Sequence, residues 1–115
     1  MKVRIFYTYI LTNWERTVLY TGVTNNLAVR LIQHYMGSNN SFTSKYKVYY
    51  LVWYETSKYV LNAIAREKEI KELIRQKKNA LITEFNPGWK FLNEEILGNW
   101  PPTRDQMNEV MDQFR

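Results

Sequence analysis

Glu67 stands out in the sequence because it is a carboxylate in the middle of an apolar helix face. A helix is expected over residues 58–77, and its apolar face is formed by Val60, Ala63, Ile64, Ile70 and Ile74. A carboxylate buried in such a face is costly unless it is paired or binds a metal ion. Lys71 lies one turn further on, so an i,i+4 ion pair with Glu67 is the structural alternative to a metal site.

His34 is the only histidine of the chain, and it lies four residues after Arg30. The two therefore share one face of a predicted helix. A lone histidine is more often structural than catalytic. The arginine beside it shifts that balance somewhat, because a guanidinium matches the geometry of phosphate oxygens through bidentate hydrogen bonds.

Three tyrosines lie on the first two predicted strands. Tyr7 and Tyr9 alternate onto one face of the first strand, and Tyr20 directly precedes a Thr-Gly pair on the second. By themselves these are ordinary strand aromatics, for which packing in a core is the better interpretation. The sequence has no phosphate-binding P-loop, dinucleotide-binding glycine motif, zinc-protease HExxH motif or nucleophile elbow, so those enzyme classes are not indicated.

The first half of the chain contains the elements that must position these groups. β-Branched and aromatic residues predict strands over residues 3–11 and 18–22, which are joined by a hairpin loop and paired antiparallel. Short polar residues at 24–26 predict a helix start, and Gly37 ends the helix that follows.

The second half supplies a third strand and further helices. In order, the expected segments are a polar loop over 38–45, a strand over 46–54, a long helix over 58–77 capped by Ser57, a break at 77–79 before a second helix over 80–85, a turn at 86–88, a segment over 89–96 that packs back on the domain, and a terminal helix over 105–114. The order ββαβαα predicts an α+β domain with a small, mainly antiparallel three-stranded sheet flanked by helices.

Composition limits the class of protein. A chain of 115 residues with 45% hydrophobic residues suits one globular domain. It has no cysteine, which excludes disulfides and favours a reducing, cytoplasmic location, and no apolar run approaches the ~18 residues of a membrane helix. The net charge of +5 and the aromatic content of 16% mildly favour a polyanionic partner such as nucleic acid.

Tyr7-Thr8-Tyr9 and Tyr20-Thr21-Gly22 resemble the two sequence elements for which the GIY-YIG nuclease superfamily is named. The last tyrosine of the first element and the first of the second are eleven residues apart, as the family pattern requires. Arg30 follows the glycine by eight residues, where the family has its helix arginine, and His34 comes one turn later. Tyr and Thr replace the Gly and Ile of the first element, and Thr replaces the Ile of the second. The chain is most similar to the small stand-alone bacterial proteins with a URI-type domain.

The resemblance extends over about residues 5–93. Residues 63–71 are similar to the helix that carries the family's metal-binding glutamate, and Glu67 is the matching residue. Residues 42–46 resemble a loop of the stand-alone branch, and Asn86 lies where an asparagine completes the site.

This resemblance implies a GIY-YIG-like fold and a metal-dependent endonuclease that hydrolyses phosphodiester bonds in nucleic acid, in DNA more than in RNA. Tyr9 would be the general base, assisted by Arg30 and His34. Arg30 would also hold the phosphate, and Tyr20 would support the network. Glu67 would bind one divalent ion, Mg²⁺ or Mn²⁺, which stabilises the leaving oxygen. The residues expected to contact nucleic acid are Thr24, Asn25, Arg30, Thr43, Lys45, Lys71 and Asn86.

Two other functional classes stay open. A non-cleaving nucleic-acid-binding module on the same fold would also be basic and aromatic, although it would not need a carboxylate facing phosphates. A structural or protein-interaction domain would use the extension over residues 97–115, which follows a nuclease-like domain over residues 1–96. The chain is expected to act as a monomer or weak dimer, away from membranes.

Overall fold

Three strands with alternating side chains form the sheet at the centre of the protein. The computed structural model describes residues 4–37 and 42–113. β1 (Phe6–Thr12) lies between β2 (Leu19–Thr24) and β3 (Tyr50–Ser57), and it pairs antiparallel with both. The predicted α+β class, with a small antiparallel three-stranded sheet flanked by helices, is confirmed.

The strand boundaries differ from the sequence prediction. β1 begins at Phe6 and not at Val3, which lies outside the described residues. β3 starts four residues later than predicted because residues 42–46 form a short helix, α2 (Phe42–Tyr46), in place of the expected loop. It then runs to Ser57, where its pairing with the first residue of β1 ends. The rest of the predicted loop, residues 38–41, is also outside the described part of the chain.

Alternation along β1 divides the core into two parts. Tyr9 and Leu11 point to one face of the sheet, here called the Tyr9 face, and pack with Leu27, Leu31, Val48, Leu51 and Leu92. Ile10 points to the opposite face, here called the Ile10 face, and packs with Val52, Trp53, Ile70 and Ile82. A bulge in β3 between the residues that pair with Ile10 and Leu11 allows Val52 and Trp53 to reach the same face.

α1 (Leu27–Met36) begins and ends as predicted, because both of its ends are fixed locally. The side chain of Asn26 accepts a hydrogen bond from the N–H of Val29. Gly37 adopts a left-handed φ of 71° and its N–H bonds to the carbonyl of Gln33. These caps set which residues of the helix face the sheet.

The single long helix predicted over 58–77 is two helices, α3 (Val60–Glu72) and α4 (Arg75–Phe85). The break falls at Leu73 and Ile74, whose ψ angles of 142° and 158° are extended, and the predicted break at 77–79 is wrong. The change of direction allows an isoleucine from each helix to pack into the Ile10 face.

α3 begins without the serine cap that the sequence predicted. Ser57 ends β3, and its hydroxyl accepts a hydrogen bond from the N–H of Tyr59 and donates one to the carbonyl of the same residue. Tyr59 is the N-cap, and it makes no side-chain capping bond. The serine therefore shapes the turn into the helix but does not cap it.

The apolar face of α3 is shorter than predicted. Ala63 and Ile70 are buried, but Val60 is 43% exposed and Ile74 is 62% exposed. Glu67 lies between the two buried residues along the helix, and its side chain is 16% exposed.

The C-terminal part packs back on the domain as expected. After a turn at 86–88, α5 (Asn93–Leu97) follows, and α6 (Arg104–Gln113) lies against α1 with Val110 buried. Trp100, between these helices, makes an edge contact with Tyr35 of α1, with ring centroids 5.4 Å apart. The predicted end of the last helix at 114 lies beyond the described residues. Within residues 4–37 and 42–113, no helix combines the length and apolar character needed to span a bilayer.

Candidate functional site

Tyr9 lies at the centre of the candidate site, on the middle strand and with its ring against the backbone of Gly22. The two residues are directly opposite each other in the β1–β2 pairing. A Cβ at position 22 would lie 2.5 Å from Cζ of Tyr9 and closer still to its Oη, so the ring leaves room only for glycine. The glycine of the second motif therefore makes space for the tyrosine of the first.

His34 joins Tyr9 to α2. Its Nε2 is 2.9 Å from Oη of Tyr9, and its Nδ1 is 3.0 Å from Oγ1 of Thr43. Thr43 is 1% exposed. The imidazole is thus held at both nitrogens, and a phenol, an imidazole and a hydroxyl form a continuous hydrogen-bonded chain.

Tyr20 completes a triangle of rings around this chain. Its centroid lies 6.4 Å from that of Tyr9 and 5.3 Å from that of His34. The position follows from strand periodicity, because Tyr20 is two residues before Gly22 on β2 and so shares its face of the sheet. The two motif tyrosines and the histidine are in mutual contact.

Arg30 lies one turn before His34 on α1, and it is exposed. Its Nη1 donates to Oε1 of Gln33 at 3.3 Å. Its charge lowers the pKa of both the Tyr9 phenol and the His34 imidazole, so the guanidinium lies within electrostatic reach of both. An exposed arginine at this place can bind a phosphate next to the buried network.

Burial keeps the two central groups uncharged. It raises the pKa of Tyr9 well above its usual value, Tyr20 and Glu67 raise it further, and Arg30 opposes them. Burial, together with Arg30, lowers the pKa of His34 to about 4. Near neutral pH the hydrogen bond of 2.9 Å therefore joins a neutral phenol to a neutral imidazole.

Glu67 approaches the site from α3. Its Oε1 is 3.0 Å from Nζ of Lys71, so the i,i+4 ion pair considered from the sequence is present. Across the described residues, no three His, Cys, Asp or Glu side chains come together as a metal cage. Magnesium is usually bound by one or two carboxylates completed by water and substrate phosphates, so one partly exposed carboxylate fits an ion of this type and does not fit a structural zinc.

The residues expected to contact nucleic acid fall in different places. Thr24, Asn25 and Arg30 line a cavity of about 350 Å³, to which Gln113 of α6 adds a wall. Lys45 is exposed on α2. Thr43 is instead buried against His34, a role that no local pattern in its polar segment could have indicated.

Lys71 and Asn86 have structural partners. Lys71 is half exposed and paired with Glu67. Both bonds donated by the Asn86 amide go to backbone carbonyls, those of Val52 and Lys90, and its oxygen accepts the N–H of Lys90. This places Asn86 in the packing of the Ile10 face and not beside the Tyr9 hydroxyl.

Comparison with known families gives one match to most of the chain. A model of the GIY-YIG catalytic domain matches residues 5–80. The matched segment contains both tyrosine motifs, Arg30, His34 and Glu67.

Relatives of similar size share the same region. A UPF0213 protein of Staphylococcus saprophyticus is 38% identical over 66 residues, which cover 57% of this chain and 80% of that protein. A UPF0213 protein of Staphylococcus haemolyticus is 35% identical over 78 residues, or 68% of this chain and 94% of that protein. The solution structure of a UPF0213 protein from Bacillus halodurans matches with a TM-score of 0.50 and 26% identity, over 78% of this chain and 95% of that one.

Proposed function

Because the chain belongs to the GIY-YIG catalytic domain family, we propose that it is a metal-dependent endonuclease that hydrolyses phosphodiester bonds in nucleic acid, in DNA more than in RNA. The 2.9 Å contact between Tyr9 and His34 carries the proposal, because Arg30 and Glu67 act on the same phenol. The reaction needs an activated water, a neutralised phosphate and a stabilised leaving oxygen. We assign Tyr9 to the activation of the water and Arg30 to the phosphate. Glu67, through a bound metal ion, is assigned to the leaving oxygen.

Tyr9 is proposed to accept the proton of the attacking water. Its own pKa is raised by burial, so it does not lose its proton to solvent first. His34 is uncharged and holds Nε2 2.9 Å from the phenol oxygen, while Thr43 can accept a hydrogen bond from Nδ1–H. In this tautomer the phenol proton passes to Nε2 as the water proton arrives at Oη, and the positive charge ends on the imidazole.

Arg30 is proposed to link phosphate binding to this proton transfer. Its positive charge is one of the two causes that lower the pKa of His34. A phosphate bound by the guanidinium offsets that charge, so the imidazole becomes a better proton acceptor when substrate is present. The base is then active mainly in the complex.

Glu67 is proposed to hold the divalent ion, Mg²⁺ or Mn²⁺. When bound, such an ion supplies charge that stabilises the leaving oxygen. Lys71 now neutralises the carboxylate and is 52% exposed, so its side chain can turn away to solvent or to a phosphate. Tyr20 packs against both Tyr9 and His34 and keeps their geometry.

The second candidate is a nucleic-acid-binding module on the same fold that does not cleave. Two observations favour it: the raised pKa of the Tyr9 phenol opposes a base, and Glu67 is already paired with Lys71. Cleavage therefore has to be tested separately from binding.

The test is a cleavage assay on single-stranded, branched and duplex DNA and on RNA, with Mg²⁺, with Mn²⁺ and with EDTA. Glu67→Gln and Tyr9→Phe should each slow metal-dependent cleavage by roughly 100-fold or more, the scale of losing a group that acts mainly in the transition state. Glu72→Gln, a change of an exposed glutamate on the same helix, is the matched control and should cleave normally.

Three outcomes decide between the candidates. Undiminished cleavage by Glu67→Gln would remove the metal role, and undiminished cleavage by Tyr9→Phe would remove the base role. Binding without cleavage of any substrate would establish the non-cleaving module. The cytoplasmic location and the monomeric or weakly dimeric state stay predictions from the sequence.

A further inference from the structure

Trp14 is 64% exposed in the β1–β2 hairpin loop, although tryptophan is highly buried on average in folded proteins. Its ring is not loose. It makes edge or tilted contacts with Tyr50 and Phe91, with centroids 5.7 Å and 5.5 Å away. These two contacts hold the ring in place, and its 64% exposure leaves most of its surface open to solvent.

Hydrogen bonds within the loop and from α4 hold the loop that carries Trp14. The buried Asn13 accepts the N–H of Thr17 at 2.8 Å. Arg75 of α4 donates to the carbonyl of Thr17 at 2.9 Å, and Arg16 donates to the carbonyl of Trp14 at 3.2 Å. The conformational entropy of this loop is therefore lost when the protein folds. Binding of a ligand to Trp14 is then not weakened by the ordering of the loop.

A cleft of about 320 Å³, here called the Trp14 cleft, separates Trp14 from Tyr46 at the end of α2. Tyr46 is itself 45% exposed and packs on Phe42 with ring centroids 4.8 Å apart. Ligand cavities in proteins range over ~300–1,000 Å³, so this cleft suits a small planar group. It is lined by aromatic rings on both sides.

The charges of the Trp14 cleft are arranged unevenly. Lys45 and Lys47 are exposed on the α2 side, and Nζ of Lys45 is 5.4 Å from the centroid of Tyr46. Glu15 lines the hairpin side, where its carboxylate accepts a hydrogen bond from Asn13 at 3.2 Å. A group that is planar at one end and anionic at the other would place its anion on the lysine side.

We infer that the Trp14 cleft binds one unpaired nucleobase by stacking on Trp14, with the adjoining phosphate at Lys45 and Lys47. Basic grooves with aromatic platforms are the usual way in which proteins hold single strands. Inside a duplex both faces of every internal base are covered by its neighbours, so away from duplex ends a tryptophan ring can stack only on an unpaired base. The substrate class, in extension of the proposed function, is nucleic acid with a single-stranded stretch beside the bond that is cut.

α2 connects the cleft to the candidate active site. Thr43 faces inward to His34, while Lys45 and Tyr46 of the same five-residue helix face the cleft. Along the chain, Tyr9 and Trp14 are five residues apart, so at the ~3.3 Å rise of a strand their Cα atoms are separated by at most roughly 17 Å. A single strand of a few nucleotides can occupy both places.

The experiment measures binding in EDTA, which removes metal-dependent cleavage from the result. A short fluorescein-labelled single-stranded oligodeoxynucleotide is titrated by fluorescence anisotropy, and a relaxed circular duplex, which has no open base-pair ends, is measured as its competitor. Trp14→Ala should raise the Kd for the single strand roughly tenfold and leave the duplex Kd unchanged, as expected for the loss of one stacked base. Trp14→Phe keeps a ring and should retain most of the affinity.

Tyr59→Ala is the matched control, because Tyr59 is 67% exposed and lies outside the cleft. It should not change either Kd. Lys45→Gln, a change of one exposed residue, should make the slope of log K against log salt shallower by ~0.7 for the single strand. This second variant keeps the test decisive if Trp14→Ala lowers the Tm.

Equal single-strand Kd values for Trp14→Ala and the unchanged protein would overturn the inference, and so would an equal loss on single strand and duplex. Cleavage together with binding that does not depend on Trp14 would reject nucleobase binding in the cleft and support the nuclease proposal. Binding that depends on Trp14, without cleavage of any substrate, would reject the nuclease proposal and support nucleobase binding in the cleft.

Discussion

Tyr9 and Ile10 are neighbours on β1, and the two faces of the sheet that they mark are built differently. Ile10 is fully buried among Val52, Ile70 and Ile82, and its own side chain has only packing to satisfy. Tyr9 is 1% exposed, yet it brings a hydroxyl into the core that must find a hydrogen bond. The Ile10 face supplies stability by burying apolar area, and the Tyr9 face uses part of its buried area for a polar network.

Glu67 connects the two faces. Tyr9, Tyr20 and His34 belong to elements of the Tyr9 face, but Glu67 lies on α3, which also sends Ile70 into the Ile10 face. Its carboxylate nevertheless acts on the Tyr9 phenol. The apolar packing of one face therefore holds in place an acidic group whose charge reaches the other.

Loss of packing on the Ile10 face should give the largest change in stability. Ile82→Ala removes a fully buried side chain of α4 and should lower the free energy of unfolding by about 4 kcal/mol, from lost transfer energy and the cavity left behind. Ile74→Ala, at a position 62% exposed, should cost less than about 1 kcal/mol. Urea unfolding measures both. Below its melting range Ile82→Ala should still cleave, and a large loss of rate in the folded variant would contradict the separation of the faces.

A substitution that crowds Tyr9 should destabilise the protein less than Ile82→Ala does, but it should slow cleavage more. Gly22→Ala places a Cβ against Cζ and Oη of Tyr9, and we expect about 2–3 kcal/mol of destabilisation together with at least roughly tenfold slower cleavage. Gly88→Ala is the matched control, because its Cβ would meet only Cγ of Lys90 at 3.7 Å. In a Tyr9→Leu background the ring is gone, and the penalty at position 22 should shrink. Additive effects of the two changes would show that the ring and the glycine do not interact.

Lowering the pH should have a smaller effect on the free energy of unfolding. The pKa of His34 is about 4 in the folded protein, against 6.5 in the unfolded chain, so the unfolded state binds more protons between these values. The stability contributed by the neutral imidazole is therefore complete above ~pH 6.5 and falls as the pH drops towards 4. From about pH 7 to about pH 5 we expect a loss of roughly 1–2 kcal/mol. His34→Gln cannot protonate and should lose less over the same range, and equal losses in urea titrations would reject the assignment.

The parts of the fold that were predicted correctly are those fixed by neighbouring residues. α1 ends where expected because Asn26 and Gly37 act on backbone groups within the same turn. The long helix was predicted with its break in the wrong place because nothing local stops it at Leu73. The break depends on where Ile70 and Ile82 reach the sheet, which is a contact between distant segments.

The sequence by itself determined which groups could take part in chemistry. The order and spacing of the two tyrosine motifs, Arg30, His34 and Glu67 carry the family resemblance, and both can be read from the chain without its fold. Only the tertiary structure decided their protonation, their hydrogen-bond partners and their exposure. Burial between elements keeps Tyr9 and His34 uncharged, α2 supplies Thr43 as the second partner of the imidazole, and the packing of α3 leaves Glu67 16% exposed and paired with Lys71. Desolvation and contact depend on segments far apart in sequence, and no period along the chain encodes them.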